Sequence, residues 1–256
     1  MEDANHKSLM TRILTYNVHR CVGKDRKLDV SRIADVIAAH DPDIVALQEL
    51  DVGRARTNNV DQAHELAEQL EMVSHFHPAF SVEEERYGDA ILTSLPERLV
   101  QAAPLPGYDN WSSVVEPRGA VWIAVDIGGG VEVQIINTHL GLIPHEQQIQ
   151  ARALAGGGWT GHPLFQGPAI LLGDFNATAA SSVYKCLTQR LKDARHLAPL
   201  PRQPTTTYPA SLPVLRIDHL FVSDQIKIEG LFAPYEKITR VASDHLPLVC
   251  DFSIVQ

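Results

Sequence analysis

The stretch Pro168-Ala169-Ile170-Leu171-Leu172-Gly173-Asp174-Phe175-Asn176-Ala177 constrains this chain more than any other. Its opening apolar run reads as a buried strand, and the glycine breaks the pattern. Asp174 and Asn176 follow with one residue between them, and residues two apart in an extended segment point to the same side. A carboxylate and an amide therefore face one point just beyond a strand end, where hard cations and phosphate oxygens are commonly handled. Gly-Asp-Phe-Asn is also an ordinary turn sequence, so its meaning depends on the rest of the chain.

Other apolar runs end in the same kinds of group. Arg12 to His19 reads as a strand that delivers Asn17, and Ile44-Val45-Ala46-Leu47 as one that ends at Gln48-Glu49. Between them, Asp29 to His40 carries apolar residues at helical spacing, with Asp29 as cap, and Asp61 to Leu70 reads as a second helix. Met72 to Phe80, Asp89 to Ser94 and Glu97 to Leu105 are strand-like, the last expected to pair beside the other two. Ala120 to Ile127 and Val131 to Thr138 flank Gly128-Gly129-Gly130, a hairpin signal rather than a phosphate loop, because no helix with a Lys-Ser/Thr pair follows. The return strand delivers His139. Glu146 to Ala155 and Ser181 to Arg190 read as helices, and Leu197 to Pro213 as a surface loop. The closing strands, Arg216 to Val222, Ile226 to Phe232 and Leu246 to Phe252, bring Asp218 and, just ahead of the last, Ser243-Asp244-His245. Strands outnumber helices and helices fall between them, which favours two packed sheets with outer helices.

Taken singly, each polar group has a plainer reading. Glu49 and Asp51 suit a solvated strand edge, Asn17 a turn, His139 a satisfied interior histidine, and Asp218 an ion pair with Arg216. Composition narrows the alternatives. With 22 basic and 31 acidic residues among 256, the net charge is 22 − 31 = −9, which gives no long-range help in approaching nucleic acid or anionic lipid. A bound dication could still supply local positive charge. Cys21, Cys186 and Cys250 show neither a disulfide framework nor zinc spacing. No stretch approaches the roughly 18 apolar residues of a membrane span, and the expectation is a cytoplasmic monomer without integral membrane association.

Together, Thr15-Tyr16-Asn17, Leu47-Gln48-Glu49, Asn137-Thr138-His139-Leu140, Gly173-Asp174-Phe175-Asn176, Arg216-Ile217-Asp218-His219 and Ser243-Asp244-His245 resemble the successive motifs of the endonuclease/exonuclease/phosphatase superfamily. The resemblance runs from about Thr11 to Phe252. It implies a four-layer α/β/β/α sandwich, two mainly antiparallel sheets packed face to face with outer helices. Residues 1–10 would be a tail and 11–256 a single domain.

The resemblance also implies a metal-dependent phosphoester hydrolase. Glu49 would be the principal ligand, with Asn17 and Asp244; these oxygen donors suit Mg²⁺ or Mn²⁺. Asp174 and Asn176 would position the attacking water and the phosphate. His245, oriented by Asp218, would be general base or phosphate contact. His139 would stabilise the phosphorane or protonate the leaving group. Arg118 would reach phosphate, with an ion pair to Glu116 as the alternative. Asp89 stands where many relatives carry Asn, and would touch substrate or orient His139.

Signatures of the inositol-polyphosphate 5-phosphatases are missing: Leu172 precedes Gly173, and Arg216-Ile217-Asp218 replaces Cys-Asp-Arg. The acidic balance, with glutamates between Ser81 and Arg86, speaks against the DNA-gripping abasic-site enzymes. Asp51-Val52-Gly53-Arg54 and Val60-Asp61-Gln62 look like compact bacterial members, some of them similar to sphingomyelinases. A small or lipid phosphodiester is the expected substrate, and a DNA or RNA nuclease the alternative. A non-catalytic binding module should have lost some of these site residues, and none is lost. Tyr108, Trp111 and Trp159 are candidates for a contact rim, or for core packing.

Overall fold

The structure, a computed structural model, describes residues 10–82, 85–107 and 116–255. Its first half runs β1 (Thr11–Asn17), α1 (Val30–Ala38), β2 (Ile44–Val52), α2 (Gln62–Gln69), β3 (Val73–Val82), β4 (Glu85–Thr93), β5 (Glu97–Pro104), β6 (Gly119–Asp126) and β7 (Glu132–His139). The second half runs α3 (Pro144–Ala155), β8 (Ala169–Asp174), α4 (Ser182–Leu187), β9 (Lys192–Asp193), α5 (Ala194–Leu197), β10 (Asp218–Val222), β11 (Ile226–Phe232), α6 (Thr239–Ala242) and β12 (Leu248–Ile254). The side-chain oxygens of Asp29, Asp61 and Ser181 cap the first turns of α1, α2 and α4.

The strands form two six-stranded sheets, ordered β11-β12-β1-β2-β4-β3 and β5-β6-β7-β8-β10-β9. Both have one plan. A central parallel pair, β1 with β2 or β7 with β8, is flanked on each side by antiparallel strands. The sheets are thus mixed, though most pairings are antiparallel as expected. One core lies between the sheets, built from residues such as Ile13, Ile91, Ile123, Leu172 and Phe252. A second packs α1 and α2 on the outer face of the first sheet, and a third packs α3 and α4 on the outer face of the other. This is the four-layer sandwich. Strand β5 pairs with β6 in the second sheet, not beside β3 and β4. Trp159 is buried in the third core and takes no part in a rim, while Tyr108 and Trp111 lie outside the described residues.

This plan places the polar strand ends together. The parallel strands β1, β2, β7 and β8 all run toward one edge, where Asn17, Glu49, His139 and Asp174 emerge. Antiparallel β10 begins at that edge, with Asp218 opposite Asp174, and β12 begins there just after His245. Directly beneath, a buried amide network joins the sheets. Gln48 Nε2 donates to Asn137 Oδ1 at 2.7 Å, and Asn137 Nδ2 donates to the carbonyls of Leu47 and Ala90 at 2.9 Å each.

Gly173 sits at φ 137°, and a Cβ there would meet the Thr138 carbonyl oxygen at 1.9 Å. Gly173→Ala is expected to cost about 3–5 kcal/mol, because backbone rather than a flexible side chain must yield. Urea unfolding checks this, and a loss below about 1 kcal/mol would show that β7 and β8 can separate.

His219, on β10, is buried with Nε2 donating to the Ala177 carbonyl at 2.7 Å. Burial, helped by Arg216, pushes its pKa down to about 4. The unfolded chain binds the proton near pH 6.5, so His219 stabilises the fold fully above that pH and loses the contribution as pH falls toward 4. About 3 kcal/mol of acid sensitivity over this window should vanish in His219→Phe. An unchanged pH slope in that variant would remove the assignment.

Candidate active site

In β2, Leu47 pairs with Ala90 but Leu50 with Gly88, so Gln48 and Glu49 together face Asp89 in a bulge. Glu49 adopts φ 62°, a conformation that costs a non-glycine residue about 1–2 kcal/mol. The strand continues to Val52, so Glu49 is not a strand end as the sequence implied; the bulge turns it out of the sheet. Asp89 accepts a hydrogen bond from the Glu49 backbone amide. Burial pushes the Asp89 carboxyl up to about 8 despite Arg118 nearby, so at neutral pH it is mostly protonated, a counterpart of asparagine. Asp89 is buried and its hydrogen bond to the Glu49 amide ties it to the bulge.

Asn17 Nδ2 donates to Glu49 Oε1 and to Asp174 Oδ2, both at 3.0 Å, while its Oδ1 accepts from the His19 amide. The amide therefore ties two carboxylates together and presents nitrogen to Glu49. To ligate a metal through oxygen, as expected, it would have to rotate. Asp244 is half-buried, 3.8 Å from His19 Nδ1, and shares the cleft with Glu49. Oxygen donors on Glu49 and Asp244, with Asn17 adjoining, fit a hard dication better than zinc.

Among the described residues, the one group of three ionisable ligating side chains within 4.8 Å is Asp174, Asp218 and His245. It is better suited to holding protons. His245 Nδ1 donates to Asp218 Oδ2 at 2.9 Å, and its Nε2 lies 3.6 Å from Asp174 Oδ2. Burial lowers the His245 pKa, but the charges of Asp218 and Asp174 and the Asp218 hydrogen bond outweigh it and raise it overall. A protonated imidazole offers no lone pair to a metal. Burial, then the Asp218 charge, raises Asp174 above the usual carboxylate range.

Asp218 is held by a residue the sequence did not single out. Thr207 Oγ1 donates a short hydrogen bond to Asp218 Oδ2. Its segment was expected to be a surface loop, yet Thr205, Thr207 and Ala210 are buried, and the Thr207 carbonyl accepts from the Leu246 amide at 2.9 Å. Tyr208 stacks obliquely on His245, ring centroids 4.9 Å apart. The run Thr205-Thr206-Thr207-Tyr208 was visible, but no local pattern marks which hydroxyl meets a carboxylate.

Arg118 makes the ion pair weighed for it and also borders the cleft. It pairs with Glu116 at 3.3 Å, lines the cleft, and places Nη1 3.0 Å from His139 Nδ1. A guanidinium can only donate, so Nδ1 accepts and the His139 proton sits on Nε2. Burial and Arg118 hold His139 well below its ordinary pKa, hence neutral. His139 Nε2 lies 3.0 Å from Asn176 Nδ2 and 3.5 Å from Asp174 Oδ2, which puts all three groups at one corner of the site. Asn176 itself is at φ 48°, held by Nδ2 donating to the Leu140 carbonyl.

These groups open into a cleft of about 530 Å³ walled by Glu49, His139, Asp174, Asn176, Asp244 and His245, among others. Acids, amides and histidines gathered in one cleft can hold a hard cation and donate hydrogen bonds to an anionic group. The model of the Endonuclease/Exonuclease/phosphatase family matches residues 14–245, and the chain belongs to that family. It is 25% identical over 255 residues to the uncharacterized protein YbhP of Escherichia coli, covering 95% of this chain and 96% of that one. Its fold is similar to an endonuclease/exonuclease/phosphatase from Beutenbergia cavernae, with TM-score 0.78 and 24% identity, covering 96% of this chain and 72% of the other. It is likewise similar to a mannosyl-6-phosphatase from Bacteroides thetaiotaomicron, with TM-score 0.74 and 20% identity, covering 96% and 100%.

Proposed function

We propose that the protein is a divalent-metal-dependent phosphodiesterase that hydrolyses a small or lipid phosphodiester by in-line attack of water. The observation that carries this is the convergence of Glu49, His139, Asp174, Asn176 and His245 on one cleft. Glu49, with Asp244 and a rotated Asn17, would hold Mg²⁺ or Mn²⁺, which when bound polarises the phosphate and offsets its charge.

The chain's own groups supply the rest. Asp174, raised in pKa and 3.0 Å from the Asn17 amide, accepts the proton of the attacking water. Protonated His245, its ring fixed by Asp218 and Thr207, contacts the phosphate and gives its proton to the leaving oxygen as the bond from phosphorus to that oxygen breaks. Neutral His139 and Asn176 donate hydrogen bonds to a phosphate oxygen as charge builds on it. Of the roles open to His139 and His245, stabiliser and phosphate contact fit these protonation states best.

Leu142 and Leu215 line the same cleft and are 71% and 42% exposed, which gives an apolar leaving group a place to lie. Among the described residues no helix is long and apolar enough to cross a membrane, and the three cysteines are unpaired thiols. Both are compatible with a cytoplasmic monomer. The mannosyl-6-phosphatase likeness favours a phosphomonoester as the second reading; the charge of −9 counts against a nuclease.

A hydrolysis panel with Mg²⁺, Mn²⁺ and EDTA arms tests this, using bis-p-nitrophenyl phosphate, p-nitrophenyl phosphate, plasmid DNA, RNA, sphingomyelin and glycerophosphodiesters. Metal-dependent turnover of diesters with intact plasmid is expected. Turnover of the monoester alone, or a nicked plasmid, would overturn the substrate assignment.

A further inference from the structure

The segment after Glu49 is built with more care than metal binding requires. Gly53 at φ 68° lets the chain turn into a short 3-10 turn, Ala55–Thr57, which Asn58 ends at φ 57°. This turn carries Arg56 back over the cleft. Arg56 Nε and Nη2 donate to the two oxygens of Asp51, each at 2.7 Å, and Thr57 Oγ1 donates to the same carboxylate at 3.1 Å. Asp51 is 0% exposed, so the solvated strand edge weighed from the sequence is instead a buried anchor. Gln62, also buried, accepts from the Asp51 amide at 2.9 Å and donates to the Arg20 carbonyl at 2.7 Å. The residues Asp51-Val52-Gly53-Arg54 and Val60-Asp61-Gln62 thus form one brace.

The brace presents a cation. If Arg56 served only to neutralise Asp51, burial of the whole side chain would do it; instead the side chain is 37% exposed and lines the cleft. Its guanidinium carbon lies 5.5 Å from the centre of the Tyr87 ring, which keeps the fork flat along the wall. Two of its N–H groups go to Asp51, and among the described residues the others have no hydrogen-bond acceptor, which leaves them for a ligand. Arg118 borders the same wall. It is 6% exposed, and among the described residues its Nε has no hydrogen-bond partner. A buried donor left without an acceptor costs about 1–3 kcal/mol, so this guanidinium is not fully satisfied by Glu116 and His139. Glu116, beside Arg118, takes one edge of that fork and leaves Nε unused.

We propose that Arg56, clamped by Asp51 and laid over Tyr87, forms with Arg118 an anion subsite beside the reaction centre. It selects phosphodiesters that carry a second phosphate on the group flanking the scissile bond. This rests on the phosphodiesterase reading and names its substrate class. A planar guanidinium fork suits phosphate oxygens in a way that a lysine ammonium does not.

The test compares thymidine 5′-(p-nitrophenyl phosphate) with its 3′-phosphorylated counterpart, both read as nitrophenolate release with Mn²⁺. The parent enzyme should favour the bisphosphate in kcat/KM by at least about tenfold, mainly through KM. Arg56→Met should lower that ratio by at least about tenfold, and Arg56→Lys should restore only part of it. Equal turnover of the two substrates by the parent, or a ratio unmoved in Arg56→Met, overturns the subsite. Asp51→Asn/Arg56→Met leaves no unpaired carboxylate and replaces the single variant if that one does not fold. If neither substrate is hydrolysed, the phosphodiesterase reading fails, and calorimetry with thymidine 3′,5′-bisphosphate decides the subsite. Binding at least about tenfold weaker in the variant supports it, and equal affinity removes it.

Discussion

His245→Gln is expected to lower kcat/KM for bis-p-nitrophenyl phosphate by about 10²–10⁴-fold. Glutamine is chosen because alanine would also remove the donor to Asp218 and leave a cavity, whereas glutamine removes chiefly the charge. The glutamine amide can still donate toward Asp218, but it cannot carry the positive charge that both carboxylates sustain on the imidazole. The loss should therefore fall on kcat, and the melting temperature, measured beside it, reads the separate cost of leaving Asp218 and Asp174 without a cation. A rate within about tenfold of the parent would end the catalytic role of His245.

Glu49→Gln should be as damaging for a different reason. The substitution keeps the shape of the bulge, and the backbone amide that Asp89 holds is untouched. It removes the negative charge on which a dication at this edge depends. The Mg²⁺ or Mn²⁺ concentration for half-maximal activity should rise by at least about 100-fold, and turnover at saturating metal should fall by orders of magnitude. An unchanged metal titration would move the ion to other ligands, with Asp174 the nearest alternative carboxylate across Asn17.

Much of the site was legible because its residues stand at strand ends. Asn17, His139, Asp174 and Asp218 each follow or open a short apolar run that is visible locally, and Asp29 and Asp61 announced their helices by capping. Glu49 was found for a partly wrong reason. A bulge is a mismatch between two strands, and β2 alone does not show that Gln48 and Glu49 oppose one residue of β4. The hydrogen bond from the Glu49 amide to Asp89 is hidden for the same reason. Thr207 was missed because a side chain that reaches a carboxylate from an irregular segment leaves no periodic trace.

By itself, the sequence determined most of the strands and which acids, amides and histidines stand near their ends. Those are local matters of apolar spacing and turn chemistry. The tertiary structure decided which strands share a sheet, and so moved β5 away from β3 and β4. It also decided which groups meet at one edge, and their protonation: His139 neutral, His245 charged, Asp89 holding a proton. Protonation follows from burial and from charges brought together across long stretches of chain, quantities that exist only once the two sheets have packed.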